Sequence, residues 1–109
     1  MVLQSFPELL IAVTSGEPAG IGPDICLDLA GRDFGARVVV LGDARLLKER
    51  AARLGKAVRF SAYQRAADRQ AGTLAVLDIA LEHPSEPGRI NPANSRYVLA
   101  LIEIGRAHV

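Results

Sequence analysis

One cysteine and two histidines are all that this chain offers of the softer metal-ligating side chains. Cys26 alone cannot form an internal disulfide, which suits a reducing compartment, and a cytoplasmic setting is expected. His83 falls in a Pro-rich stretch and His108 in the last residues, far from it in sequence. A metal site needs several converging ligands, so neither histidine is assigned a metal or catalytic role. No apolar run approaches membrane-spanning length, and no membrane partner is expected. The first residues have neither a basic start nor a long apolar stretch, so they do not read as a secretory signal. An excess of either charge is missing too: 13 basic against 12 acidic residues give +1, with arginines interleaved among acids. Such a balance argues against a nucleic acid or an anionic membrane as partner. Half the residues are hydrophobic, which excludes disorder and permits one modest core. There is no internal repeat and no low-complexity segment.

What is present is a strand, a Gly/Pro-rich loop and a helix, in that order. The apolar run Leu9-Leu10-Ile11-Ala12-Val13 leads into Thr14-Ser15-Gly16-Glu17-Pro18-Ala19-Gly20-Ile21-Gly22-Pro23-Asp24, and Ile25 to Ala30 follow at helical spacing. This places the loop at the carboxyl end of a strand, where open α/β sheets bind ligands. Pro23 suits the first turn of a helix, having no N–H to leave unpaired, and Asp24 complements the positive end of the helix dipole. The spacing is neither the dinucleotide fingerprint nor a P-loop, and a compact turn without function is the alternative reading.

The string Gly16-Glu17-Pro18-Ala19-Gly20-Ile21-Gly22-Pro23-Asp24 closely resembles the N-terminal motif of the 4-hydroxythreonine-4-phosphate dehydrogenase family, Gly-Asp/Glu-Pro-Ala-Gly-Ile-Gly-Pro-Glu/Asp. It is also similar to a shorter loop of isocitrate and isopropylmalate dehydrogenases, which share the fold. Val38-Val39-Val40-Leu41-Gly42-Asp43, then Gly72 to Asp78, then Gly88 to Val98, look like the elements that follow in the family. The resemblance covers roughly residues 9 to 102, and family polypeptides are roughly three times as long as this chain, so a fragment is expected. It implies an isocitrate/isopropylmalate dehydrogenase-like α/β fold, here a partial three-layer α/β/α domain with a mainly parallel sheet. It implies an NAD-dependent enzyme of pyridoxal phosphate biosynthesis that oxidises and decarboxylates a small phosphorylated amino acid, 4-phosphohydroxy-L-threonine. It also implies a homodimer and a divalent metal (Zn, Mg or Co) held by three histidines. Neither those histidines nor the family's phosphate-binding lysine and arginine have matching positions here, so the chain itself is expected to be inactive. The cofactor-binding or loop positions carried over are Gly16, Glu17, Pro18, Ala19, Gly20 and Gly22.

The ends of the chain raise expectations of their own. Residues 1–8 read as a leader, and residues 9–102 as the incomplete first domain. Glu103-Ile104-Gly105-Arg106-Ala107-His108-Val109 is expected to interrupt the last helix after Ile102. It matches one frame of a common sequencing adapter, GAG ATC GGA AGA GCA CAC GTC, so 103–109 read as a non-native tail. A natural turn is the other reading.

Between these limits, strands and helices alternate, which argues for a largely parallel sheet. Strands are expected at Leu9 to Val13, buried on both faces, and at Arg37 to Leu41, Val58 to Phe60 and Leu74 to Leu81. Helices are expected at Pro23 to Ala30, at Ala44 to Leu54 capped by Asp43 and Gly55, and from Asn91 or Pro92 to Ile102. Tyr63 to Arg69 could form a helical turn. The loop Ser15 to Gly22 should sit on a central strand, and without further chain Leu9 to Val13 or Arg37 to Leu41 should expose edges or apolar faces. Cys26 reads as a small buried residue, Asp43 as a cap, Asn91 and Asn94 as caps, and Arg89 and Arg96 as solvated charges. Glu17 could stabilise its turn or meet a ligand hydroxyl. A free-standing module gripping an anion or nucleotide with backbone N–H groups of residues 15 to 22 is the alternative function.

Overall fold

The computed structural model describes residues 10–32, 34–64 and 72–108. The leader, Leu9, and most of the possible helical turn at Tyr63 to Arg69 lie outside them. Four strands, β1 (Leu10–Thr14), β2 (Arg37–Gly42), β3 (Arg59–Ala62) and β4 (Thr73–Asp78), form one sheet in the order β1-β2-β4-β3. All three pairings are parallel, with Ile11 beside Val38, Val40 beside Val76 and Phe60 beside Leu74. Parallel strands need crossovers, and helices α1 (Gly22–Leu27), between β1 and β2, and α2 (Ala44–Leu54), between β2 and β3, lie on two of the connections.

Two cores lie on opposite faces of the sheet. On one, Cys26 and Leu27 of α1 and Leu47 and Ala51 of α2 pack on Val40, Leu74 and Val76. On the other, Tyr97 and Leu101 of α3 (Ser95–His108) pack on Val39 and Leu41. The period-two alternation of β2 separates Val40 from Val39 and Leu41, so one strand feeds both cores. The expected three-layer α/β/α arrangement, with helices on both faces of a parallel sheet, is therefore present.

Several expectations need correction. β1 is not buried on both faces and not central: it is an edge strand of the described sheet, with Ile11 and Ala12 exposed. Its apolar sequence allowed burial, but the described residues supply no neighbour beyond it. β2 is the buried strand, with Val39, Val40 and Leu41 fully covered, so Arg37 to Leu41 exposes no edge. The first helix stops at Leu27 and tightens into a 3-10 turn over Asp28–Gly31. The third strand begins at Arg59, while β4 ends at Asp78, where a break in the Leu74 to Leu81 run was expected. The last helix opens with a 3-10 turn at Pro92–Asn94 and is not cut at Ile102; it continues through Gly105 to His108. Ile104 packs against the second core, and a Cβ on Gly105 would meet Leu41 Cδ2 at 2.9 Å. The glycine thus lies where the helix comes close against Leu41 of β2, and tertiary contact outweighs its weak helix propensity.

Candidate ligand site at the carboxyl edge of the sheet

The loop from Ser15 to Ile21 leaves the carboxyl end of β1 and enters α1, with Pro23 in the first helical turn. Its carbonyl groups are nearly all engaged. Glu17 O accepts from Gly20 N–H at 3.0 Å, and Ile21 O from Ile25 N–H at 3.0 Å. Ala19 O accepts from Gly88 N–H at 2.7 Å, which ties the later loop to this one. Pro18 O and Gly20 O both accept from the guanidinium of Arg50, at 2.6 and 3.1 Å. Arg50 also holds the Asp24 carboxylate at 2.8 Å and is only 4% exposed. A guanidinium has the donors for three such bonds and stays charged, so a single buried side chain of α2 fixes the loop from behind.

Two glycines of this loop have distinct jobs. A Cβ on Gly22 would lie 2.2 Å from Ser15 O, so the start of α1 can close on the end of β1 only without a side chain. Gly16 has φ +72, and open space surrounds the position of its absent Cβ. Positive φ there favours glycine, and the open side leaves backbone accessible. Glu17 turns its Oε1 back to Ala19 N–H at 3.2 Å, so it stabilises the turn.

Beside the loop, the ends of β2 and β4 join a polar cluster. Asp43 Oδ1 accepts from Arg45 and Leu46 N–H at 2.8 and 3.1 Å, capping α2 as its position predicts. Its Oδ2 also accepts from Leu81 N–H at 2.6 Å, a long-range tie. Asp78 Oδ1 accepts from Ala44 N–H at 2.9 Å. The Tyr97 hydroxyl accepts from Asp43 N–H at 2.8 Å and lies 3.4 Å from Ser15 Oγ. Burial, chiefly, raises the Tyr97 pKa above the ordinary phenol value, so it is neutral and free to donate to Ser15.

The other candidates stay apart. Cys26 is buried, and loss of hydration pushes its pKa up to about 11, leaving an unreactive thiol. His83, Arg89 and Arg96 are exposed, and Arg89 approaches Glu86 at 3.9 Å. Asn91 caps, accepting from Ala93 N–H at 3.0 Å. Asn94 does not: its side chain is buried, and its carboxamide has no hydrogen-bond partner among the described residues. The sequence alone assigned no role to Arg50 or to Tyr97. A basic residue at a core-facing position of an amphipathic helix was the signal for the first; no local pattern signals the second. Among the described residues, no group of three or more His, Cys, Asp or Glu is placed to hold a metal. No helix there is long and apolar enough to cross a membrane.

No protein-family model matches the chain. It is 51% identical over 94 residues to the 4-hydroxythreonine-4-phosphate dehydrogenase of Azoarcus sp. (strain BH72), covering 86% of this chain and 28% of that protein. With the enzyme of the same name from Neisseria meningitidis serogroup A it shares 48% over 101 residues, 92% of this chain and 31% of the relative. The crystal structure of the 4-hydroxythreonine-4-phosphate dehydrogenase from Klebsiella pneumoniae superposes with a TM-score of 0.77 at 29% identity, covering 93% of this chain and 33% of that one. Sequence and fold agree across almost the whole chain, which spans under a third of the length of these relatives. The chain therefore belongs, as a segment, to the 4-hydroxythreonine-4-phosphate dehydrogenase family.

Proposed function

We propose that the intact protein carrying this segment oxidises 4-phosphohydroxy-L-threonine with NAD, with decarboxylation of the resulting keto acid, in pyridoxal phosphate biosynthesis. The observation that carries this reading is about 50% identity, over nearly the whole chain, to enzymes named for that activity. The protein is proposed to work in the cytoplasm as a homodimer. Within the segment, Gly16, Glu17, Pro18, Ala19, Gly20 and Gly22 form one wall of the dinucleotide site. The residues fit that role in two respects: backbone at Gly16 is approachable from open space, and the carbonyls of residues 17 to 21 already have partners. Ala19 and Gly20 spend their N–H groups on Glu17 and Pro18 has none, so contacts to a phosphate-bearing ligand would fall to the backbone N–H groups at the loop's two ends, beside Gly16 and Gly22. When bound, the dinucleotide supplies the hydride acceptor; this chain's residues hold and orient it and exclude water beside it. A three-histidine metal site does not fit this segment, which has two histidines and, among the described residues, no cluster of three or more His, Cys, Asp or Glu. Residues 103–109 are proposed to be adapter-encoded. The genomic sequence at that point decides this, and a native Glu-Ile-Gly-Arg-Ala-His-Val there would reject it.

The intact gene product should form NADH from NAD and the phosphorylated hydroxythreonine, and rescue a strain lacking this step. The isolated 109-residue chain should do neither, and should bind zinc at best weakly. Tight one-to-one zinc binding with turnover by the isolated chain would overturn its role as a partial domain. An inactive intact protein would overturn the assigned reaction.

A further inference from the structure

We infer that Arg50 is a positioning residue for the loop of Gly16 to Gly22, setting its affinity for the dinucleotide without touching it; this rests on the reading of that loop as a dinucleotide wall. Three contacts carry the inference. One guanidinium donates to Pro18 O, to Gly20 O and to the Asp24 carboxylate, all 26 to 32 residues away in sequence. It draws two alternate loop carbonyls, those of Pro18 and Gly20, toward α2. With Ala19 O taken by Gly88, the three carbonyls from 18 to 20 are withdrawn from any ligand. An anionic ligand meeting that loop would otherwise face lone pairs.

The anchor behind Arg50 is rigid. Its helix is capped at the start by Asp43 and closed at the end by Gly55 in the left-handed conformation. Leu47 and Ala51, on either side of Arg50, are buried in the first core. A reference point fixed in the core thus sets the loop by hydrogen bonds of fixed fork geometry. Asp24 neutralises the buried charge, so the effect on a ligand is one of shape more than of net field. Lysine has a single point of charge and cannot reproduce the fork, so this Arg to Lys change is not conservative.

The test uses the intact apoprotein carrying Arg50→Met or Arg50→Lys. Amide hydrogen exchange of peptides covering residues 15 to 25 reads the loop directly, without ligand. Calorimetry with NAD reads affinity, and steady-state kinetics separate KM from kcat. In Arg50→Met, loop exchange should rise and NAD affinity fall, each by about tenfold, as expected for loss of a charge-assisted bond, with kcat changed less than KM. Arg50→Lys should fall between the two. Unchanged loop exchange, or faster exchange with NAD affinity intact, would overturn the positioning role. Should Arg50→Met fail to fold, Arg50→Lys decides by the same criteria. A wild-type protein that binds no NAD overturns the proposed cofactor instead, so the two failures are distinguishable.

Discussion

Tyr97 and Asp43 act as a pair, and their substitution separates packing from polar connection. Phenylalanine at position 97 keeps the ring against Val39 and Leu41 but strands the buried Asp43 N–H. An unpaired buried donor costs roughly 1 to 3 kcal/mol, so Tyr97→Phe should lower unfolding free energy by that amount in the intact protein. Denaturant titration measures it, and a loss below about 0.5 kcal/mol would mean the bond contributes no more than a surface contact. Asp43→Asn tests the other arm. The amide oxygen can still cap α2, but its NH2 group would face Leu81 N–H. It should cost about 1 kcal/mol, and Asp43→Ala about twice that through the lost cap. Cys26 gives a pH prediction. Its pKa is raised in the folded state, so it favours folding below the unfolded thiol pKa, near 9. That contribution falls as pH rises toward about 11. Native protein at pH 8 should therefore resist alkylation, and unfolded protein should react at once; equal rates would contradict the burial.

At the scale of elements, the loop and its two flanking helices divide what sequence reveals from what it conceals. The cap Asp43, the span Ala44–Leu54 and the closing Gly55 were legible residue by residue, because caps and helical spacing are local signals. The loop's place at the carboxyl edge followed from strand-loop-helix order. The grip of Arg50 on that loop did not, because it depends on how two crossovers pack, information that resides in no short stretch. Gly105 was misread for the same reason: propensity alone says break, and contact with Leu41 says continue. Gly22 shows the value of geometry at this scale. A methyl group there would stand 2.2 Å from Ser15 O, so Gly22→Ala must displace the loop despite alanine's advantage of about 1 kcal/mol in a helix. Gly31 faces open space in the 3-10 turn and serves as control. Gly22→Ala should lower the melting temperature of the intact protein and Gly31→Ala should leave it unchanged or raise it. Equal effects would remove the close-approach argument.

For the whole molecule, the open side of the sheet decides behaviour. The strand order was not legible beforehand: both Leu9 to Val13 and Arg37 to Leu41 read as apolar strands, and only the pairing identifies β2 as interior. β1 pairs with β2 alone among the described residues, leaving Ile11 40% exposed. Ile25 on α1 is 56% exposed, and Leu99 and Ile102 on α3 expose a second apolar surface. Isolated large apolar side chains on a surface are ordinary, but an unpaired apolar strand edge is a template for association. A few hundred Å2 of such surface left in water forgoes several kcal/mol at about 25 cal/mol per Å2, comparable to the stability of a small domain. The 109-residue chain on its own should therefore melt broadly at low temperature and associate on a sizing column. Lysine at position 11 should reduce that association, since a charge on an edge strand opposes pairing with another chain. A monomer with a sharp melt above about 60 °C, the range of stable mesophilic domains, would mean that β1 needs no further cover. Association unchanged by Ile11→Lys would move the sticky surface from β1 to the exposed face of α3.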